Sequence, residues 1–239
     1  KTTARFFLPD LIPEQQLVSL PEAIVRHIQV LRLRLGETIV LFDGRGGEVV
    51  AEIVRLEKRQ VWVTTQQRQA ISRESSLTIH LLQAISSAER MDFTLQKGIE
   101  LGIASFTPIH SERAARLQGE CEQKKRAHWE GVAIAACEQC GRNTVPIIHP
   151  PRHLHELTVN GAGQHFLLSP LGQHALRDIV QPPSEIVLLV GPEGGFSAAE
   201  EQQCLAIGWQ ALRLGPRILR TETAALATIS AMQACWGDF

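Results

Sequence analysis

Apolar and polar residues alternate over residues 37–68 with the two-residue period of strands that bury one face. The strand-like runs are Glu37-Thr-Ile-Val-Leu-Phe42, Glu48 to Leu56 and Gln60-Val-Trp-Val-Thr64, a β-meander. Between the first two, Asp43-Gly-Arg-Gly-Gly47 can take the positive φ values of a hairpin turn, with Arg45 pointing into solvent. Ahead of the meander, apolar residues at 24, 28 and 31 recur at helical spacing after Pro21, which suits a first turn. The pattern predicts a small β-rich domain over residues 1–72, closed by the polar segment Ala70-Ile-Ser-Arg-Glu-Ser-Ser76, and a second domain over 73–239.

In that second domain the period switches between two and about 3.6. Strands are predicted at Leu77–Ile85, Ser105–His110, Val145–His149, His165–Ser169, Glu185–Val190 and Ala211–Leu214, with helices at about 88–101, 120–140, 152–158, 173–180, 198–207 and 222–236. Alternating strands and helices imply an α/β fold, a mostly parallel sheet with helices on both faces. Ser86-x-x-Glu89 and Ser197-x-x-Glu200 read as capping boxes.

Composition narrows the class. A chain of 239 residues with 44% hydrophobic residues can bury a sizeable core, which excludes intrinsic disorder. No stretch reaches the roughly 18 apolar residues of a membrane span, and the opening KTTARFFLPD lacks the apolar core of a signal peptide. Five Cys without such a signal suit free thiols, so a cytoplasmic protein is expected. The formal net charge of −1 divides into +2 for residues 1–72 and −3 for 73–239. The basic excess gathers near the first helix, at Arg26, Arg32 and Arg34, with Arg5 and Arg45 elsewhere. A solvated surface explains these arginines as well as phosphate contact does.

Three segments carry candidate chemistry. In the first, the apolar run Glu185–Val190 enters Gly191-Pro-Glu-Gly-Gly-Phe-Ser197 and then a capped helix, where ligands of open α/β sheets bind. Its spacing is neither the G-x-G-x-x-G fingerprint nor a phosphate-binding loop. The second, Leu214-Gly-Pro-Arg-Ile-Leu-Arg-Thr-Glu-Thr-Ala224, takes a strand through an apolar loop to a helix whose start is flanked by Arg220 and Glu222 and capped by Thr221. Such a loop can line a flat adenine pocket, although a local surface ion pair is the plainer account of the two charges. The third, Glu138-Gln-Cys-Gly-Arg-Asn143, ends a helix at Gly141 in a cluster of hydrogen-bonding side chains. Cys137-x-x-Cys140 lacks the second pair a zinc site needs, so no metal is expected.

Together with Ala4-Arg-Phe-Phe7 and Lys97-Gly-x-Glu-Leu-Gly102, these segments resemble one family over essentially the whole chain: the bacterial uridine-N3 methyltransferases of small-subunit ribosomal RNA, SPOUT-class enzymes. The resemblance implies a PUA-like RNA-binding barrel, a C-terminal α/β domain with a deep trefoil knot, and a homodimer. It also implies S-adenosylmethionine as methyl donor, held by Leu168, Ser169 and Pro170, by Gly191, Pro192, Glu193 and Gly194, and by Leu214, Gly215, Ile218, Leu219, Thr221, Thr223 and Ala224. Cys140 departs from the family, where Ser is usual, and a thiol is the weaker hydrogen-bond partner. Arg142 and Arg220 are the candidates for stabilising the uridine anion or binding phosphate, and Glu138 or Glu222 for accepting the proton or orienting an arginine. Arg5, Arg26, Arg32 and Arg34, with Arg142, are expected to hold the ribosomal RNA or the assembled small subunit. Two alternatives stand beside this: the same chemistry at another RNA position, and a non-catalytic RNA-binding assembly factor.

Overall fold

The structure is a computed structural model that describes residues 3–117, 119–161 and 163–239. Strands β1 (Ala4–Phe7) and β2 (Leu17–Ser19) precede helix α1 (Glu22–Val30), and β3 (Thr38–Phe42), β4 (Val49–Leu56) and β5 (Val61–Thr65) follow it. The meander forms as its alternation requires, β3 to β4 to β5 antiparallel. β1 adds to β3 in parallel and β2 to β5 antiparallel, giving the order β1-β3-β4-β5-β2. Inward residues of the strands, Ile39, Leu41, Ala51, Ile53, Val61 and Val63, meet Ile24, Val25 and Ile28 of α1 in one core. Leu31, expected on that helical face, is exposed: α1 has ended, and Arg32 takes a left-handed φ of 54°.

The second unit is built from β6 (Thr78–Ala84), α2 (Ala88–Glu100), β7 (Ser105–His110), α3 (Glu120–Cys140), β8 (Ile147–Ile148), β9 (Arg152–His153), β10 (Gln164–Leu168), β11 (Glu185–Val190), α4 (Ala198–Ala206), β12 (Gln210–Leu212) and α5 (Thr221–Trp236). The sheet is parallel in the order β12-β10-β11-β6-β7-β8, with β9 also on β7. From central β6 the chain goes to β7 on one side and later returns to β11 on the other. Strand order thus reverses between β6 and β11, the kind of switch point where ligands of open α/β sheets bind. By compactness, the first unit takes residues up to Glu74 together with Cys137–Val145, and the second takes Ser75–Ala136 and Pro146–Phe239.

Several local expectations need correction. The helix predicted at 152–158 is strand β9 followed by a single 3-10 turn, Leu154–Glu156, because residues 152 and 153 pair with Ile109 and His110. The helix predicted at 173–180 is one 3-10 turn, Leu176–Asp178: His174 instead pairs its backbone with Ala211 and Arg213 beside β12. Ser86 does not head a capping box, since the N-cap of α2 is Ser87 and its side chain makes no cap bond. Ser197 does cap α4, accepting from the Glu200 amide while Glu200 accepts from the Ser197 amide.

Candidate functional site

Three loops at the carboxyl ends of β10, β11 and β12 enclose a cleft of about 550 Å³, within the size range of cofactor sites. From β10 come Leu168, Ser169 and Pro170; from β11, Gly191, Pro192, Glu193 and Gly194; from the loop after β12, Leu214, Gly215, Ile218, Leu219 and Arg220, and then Thr221 and Ala224 at the start of α5. Thr223, the remaining residue of the expected set, does not line it. Local chemistry shapes each wall. After β10 the Ser169 hydroxyl accepts from the Leu171 amide, and Gly172 turns so tightly that an added Cβ would stand 2.8 Å from the Leu212 carbonyl carbon. After β11 the Gly195 amide bonds the Pro192 carbonyl, a turn that Gly195 closes at a φ of +64°.

The cleft walls suit a flat apolar ligand with polar edges. Leu171 and Ile218 hold their side chains 85% and 86% exposed at the rim, apolar surface that a bound ring system would cover. Cross-links between loops keep the cavity shaped. The Thr221 hydroxyl donates to the Gly191 carbonyl at 2.6 Å and accepts from Gln83 Nε2 at 2.9 Å, so central β6 ties the β11 loop to α5. Thr221 therefore bridges loops and does not cap α5, whose N-cap is Arg220.

Arg90 of α2 is a cleft residue that sequence reasoning missed. Its guanidinium pairs with Glu193 and lies 3.6 Å from Glu222 Oε2. Partial burial raises the Glu193 carboxyl, but bonds from its own amide, Arg90 and the Ser87 amide outweigh this and hold it below its usual value. Glu222 Oε2 is buried with no hydrogen-bond partner among the described residues, and the exposed Arg220 side chain has no ion-pair partner among them. Arg113 adds a second clamp, donating to the Gly194 carbonyl at 2.8 Å. A helical residue such as Arg90 carries no loop motif to flag it; the only signal is its position one turn into the helix after β6.

Glu138, Arg142 and Arg5, expected in catalytic or RNA-binding roles, belong to the first unit, where each is engaged with partners of that unit. Glu138 accepts from the Phe7 amide, satisfying a donor of edge strand β1. The Arg142 side chain, 5% exposed, forks onto the Glu74 carboxylate. Arg5 donates to Glu48 at 2.8 Å and to Asn143 Oδ1 at 2.6 Å, with its guanidinium over the Phe42 ring. Arg73 and Asn143 Nδ2 also reach Glu48 Oε2. Burial works against the Glu48 carboxylate, but bonds from Arg73, Arg5 and Asn143 prevail and bring it to about 2. Arg26, Arg32 and Arg34 remain exposed at the surface, Arg26 only loosely paired with Glu22 at 3.8 Å. Burial pushes the Cys137 thiol up to about 12, an unreactive thiol.

A strand-order reversal, a cleft of strand-end loops and a separate β unit define an α/β protein of two units with a cofactor-sized site. Residues 73–233 match the RNA methyltransferase domain family and residues 20–66 the RNA methyltransferase PUA domain family. The ribosomal RNA small subunit methyltransferase E of Buchnera aphidicola subsp. Schizaphis graminum is 33% identical, covering 100% of this chain and 98% of that protein. Among solved structures, the ribosomal RNA small subunit methyltransferase E of Neisseria gonorrhoeae bound to S-adenosyl methionine is 44% identical with a TM-score of 0.94, each chain covered in full. A putative methyltransferase from Legionella pneumophila in complex with the same cofactor is 40% identical with a TM-score of 0.94, again over 100% of both chains. The chain belongs to the ribosomal RNA small subunit methyltransferase E family.

Proposed function

We propose that the chain transfers a methyl group from S-adenosylmethionine to N3 of a uridine in small-subunit ribosomal RNA. The observation that carries this reading is the three-loop cleft at the strand-order reversal, in a chain of this family. The cofactor supplies an electrophilic methyl on a sulfonium. The chain's own part is binding and positioning: Leu168, Leu214, Ile218 and Leu219 take the purine, and the Gly191–Gly194 backbone approaches the ligand closely. Arg220 faces the negative charge that develops on the base as the N3 proton leaves, and Glu222, oriented by Arg90, is the adjoining acceptor. Holding both reactants in line is the larger contribution. Glu138 and Arg142 leave the catalytic set and serve the first unit's fold.

Arg26, Arg32 and Arg34 hold RNA through phosphates, so affinity falls as salt rises. The deep knot and the homodimer implied by the resemblance belong to the same reading, and light scattering on the purified protein checks the dimer. Among the described residues no helix is long and apolar enough to cross a membrane. An enzyme of ribosomal RNA is placed with the ribosomes, in the cytoplasm. Incubation with labelled methyl donor and unmodified small subunits, followed by nucleoside analysis, tests the proposal. Label in N3-methyluridine is expected; label in another nucleoside, or no donor binding by calorimetry, overturns it.

A further inference from the structure

A second cleft of the same unit, about 560 Å³, opens beyond the end of β7 and belongs to none of the loops assigned above. Its floor is a ladder of imidazoles. His110 ends β7 and His153 lies beside it in register on β9; their rings stack with centroids 4.9 Å apart and planes 27° apart. His155 continues the ladder at 5.2 Å and 29°. His110 is half-buried, while His153 and His155 are exposed. Faces stacked in this way leave the ring nitrogens along the sides of the ladder instead of aiming them at one point. Among the described residues no group of three or more His, Cys, Asp or Glu can hold a metal ion.

The remaining walls specify what would lie on such a surface. Leu117, Pro151 and Leu154 are apolar, Glu112 and Glu122 offer carboxylate acceptors, and Arg116 is a cation. Glu200 is already committed, one oxygen accepting from the Glu112 amide and the other from the Ser197 amide. Burial, then neighbouring His153, lowers the His110 pKa and so disfavours its charged form. An aromatic platform with acceptors to the side favours a flat ring bearing N–H donors, and unpaired RNA bases are recognised by stacking of this kind. Two carboxylates disfavour a bare polyanion, so the base edge enters and its phosphate stays at Arg116.

The cleft also adjoins the first one. Consecutive residues link the two: the amide of Glu112, which lines this cleft, bonds Glu200 at the head of α4, and Arg113 donates to the carbonyl of Gly194, which lines the first. We propose that the His110–His153–His155 ladder is a second RNA subsite, which stacks an amino-bearing base of a single-stranded segment flanking the methylated nucleotide. The proposal rests on the RNA methyltransferase reading and names the part of the substrate that reading leaves unassigned.

The test uses the full-length protein with His153→Ala, His155→Ala and His153→Phe variants, S-adenosylmethionine present throughout. Fluorescence anisotropy with short A-rich and U-rich single-stranded RNAs reads the subsite directly. The A-rich strand is expected to bind more tightly, to lose about tenfold in affinity with either alanine variant, and to recover with phenylalanine, which keeps the stacking face. Ultraviolet cross-linking is expected to label the peptide containing residues 152–156. In methylation of unmodified small subunits, KM for the subunit rises while kcat and cofactor affinity hold. Alanine variants that bind A-rich RNA as the parent does, equal binding of U-rich RNA, or no recovery with phenylalanine would overturn the subsite. A parent enzyme that labels no RNA overturns the functional reading instead, and the anisotropy still decides the ladder.

Discussion

Thr221→Val is a nearly isosteric change that removes only the hydroxyl joining Gln83 to the Gly191 carbonyl. Thr221 and Gln83 are 6% and 1% exposed, so water does not replace the lost partners. Gln83 Nε2 retains its own-strand contact with the Ala84 carbonyl at 3.1 Å, which softens the loss on that side. The Gly191 carbonyl loses a 2.6 Å bond and is the larger casualty. Net contributions of about 1 kcal/mol per buried hydrogen bond give roughly 2 kcal/mol in all. For a chain of this length that is a Tm lower by about 4–8 °C. Because the bond ties the β11 loop to α5, part of the loss falls on cofactor binding, at most a roughly thirtyfold rise in Kd if all of it does. Thr221→Ser keeps the hydroxyl and is expected to stay within about 1 kcal/mol of the parent. Thermal unfolding and calorimetric titration with S-adenosylmethionine measure both quantities. A valine variant with unchanged Tm and Kd, or a serine variant as impaired as valine, refutes the bridging role.

Glu48→Gln tests the ion-pair network of the first unit. The folded-state carboxyl lies at about 2 against an ordinary 4.5, so the folded state binds fewer protons; the stabilisation is fully present above about pH 4.5 and lost as pH falls toward 2. The shift corresponds to an upper bound of roughly 3 kcal/mol, and the glutamine variant is expected to unfold more easily at pH 7 and to depend less on pH in that window, as urea titrations would show. Arg90→Met separates Glu193 and Glu222 from their cation. Its exposure keeps the stability loss small, while cofactor Kd and methylation kcat are both expected to worsen severalfold; unchanged kinetics would leave Arg90 a surface pair. Gly172→Ala places a Cβ 2.8–3.0 Å from backbone atoms of Ala211 and Leu212, so about 1–3 kcal/mol of stability should be lost, with weaker cofactor binding because the Ser169–Leu171 wall must move.

Most of the α/β unit was legible because its signals are local. Ser105–His110, Glu185–Val190 and 120–140 appear with the predicted bounds, each an apolar run or helical period long enough to declare itself. What failed lay where local preference is weak and a partner decides. Ala4–Phe7 and Leu17–Ser19 are too short to announce themselves, and become strands by pairing with β3 and β5. Residues 173–180 have helix-forming side chains, yet the free edge beside β12 captures the His174 backbone. The cleft loops were readable from their glycines and their position after strands. Arg90 and Gln83 were not, since each sits in a regular element and matters only through what the fold brings opposite; nor was Arg113, in a turn after β7 that carries no glycine motif.

The arginines differ in their surroundings more than a residue list or a charge count can show. Arg5, Arg142, Arg26, Arg32 and Arg34 look alike in sequence, and all five were expected to hold RNA. The Arg5 guanidinium is engaged by Glu48 and Asn143 and that of Arg142 by Glu74, so a phosphate would have to compete with acceptors already in place. The exposed arginines lose only hydration. On the proposed reading, RNA recognition by the first unit would rest on α1 and the turn after it, where Arg32 adopts a left-handed backbone and Arg34 stands two residues on. With so small a cationic footprint in a chain of net charge −1, phosphate attraction is expected to supply only part of the proposed RNA affinity. Stacking of bases on the imidazole ladder proposed above does not depend on phosphate charge and would supply the balance.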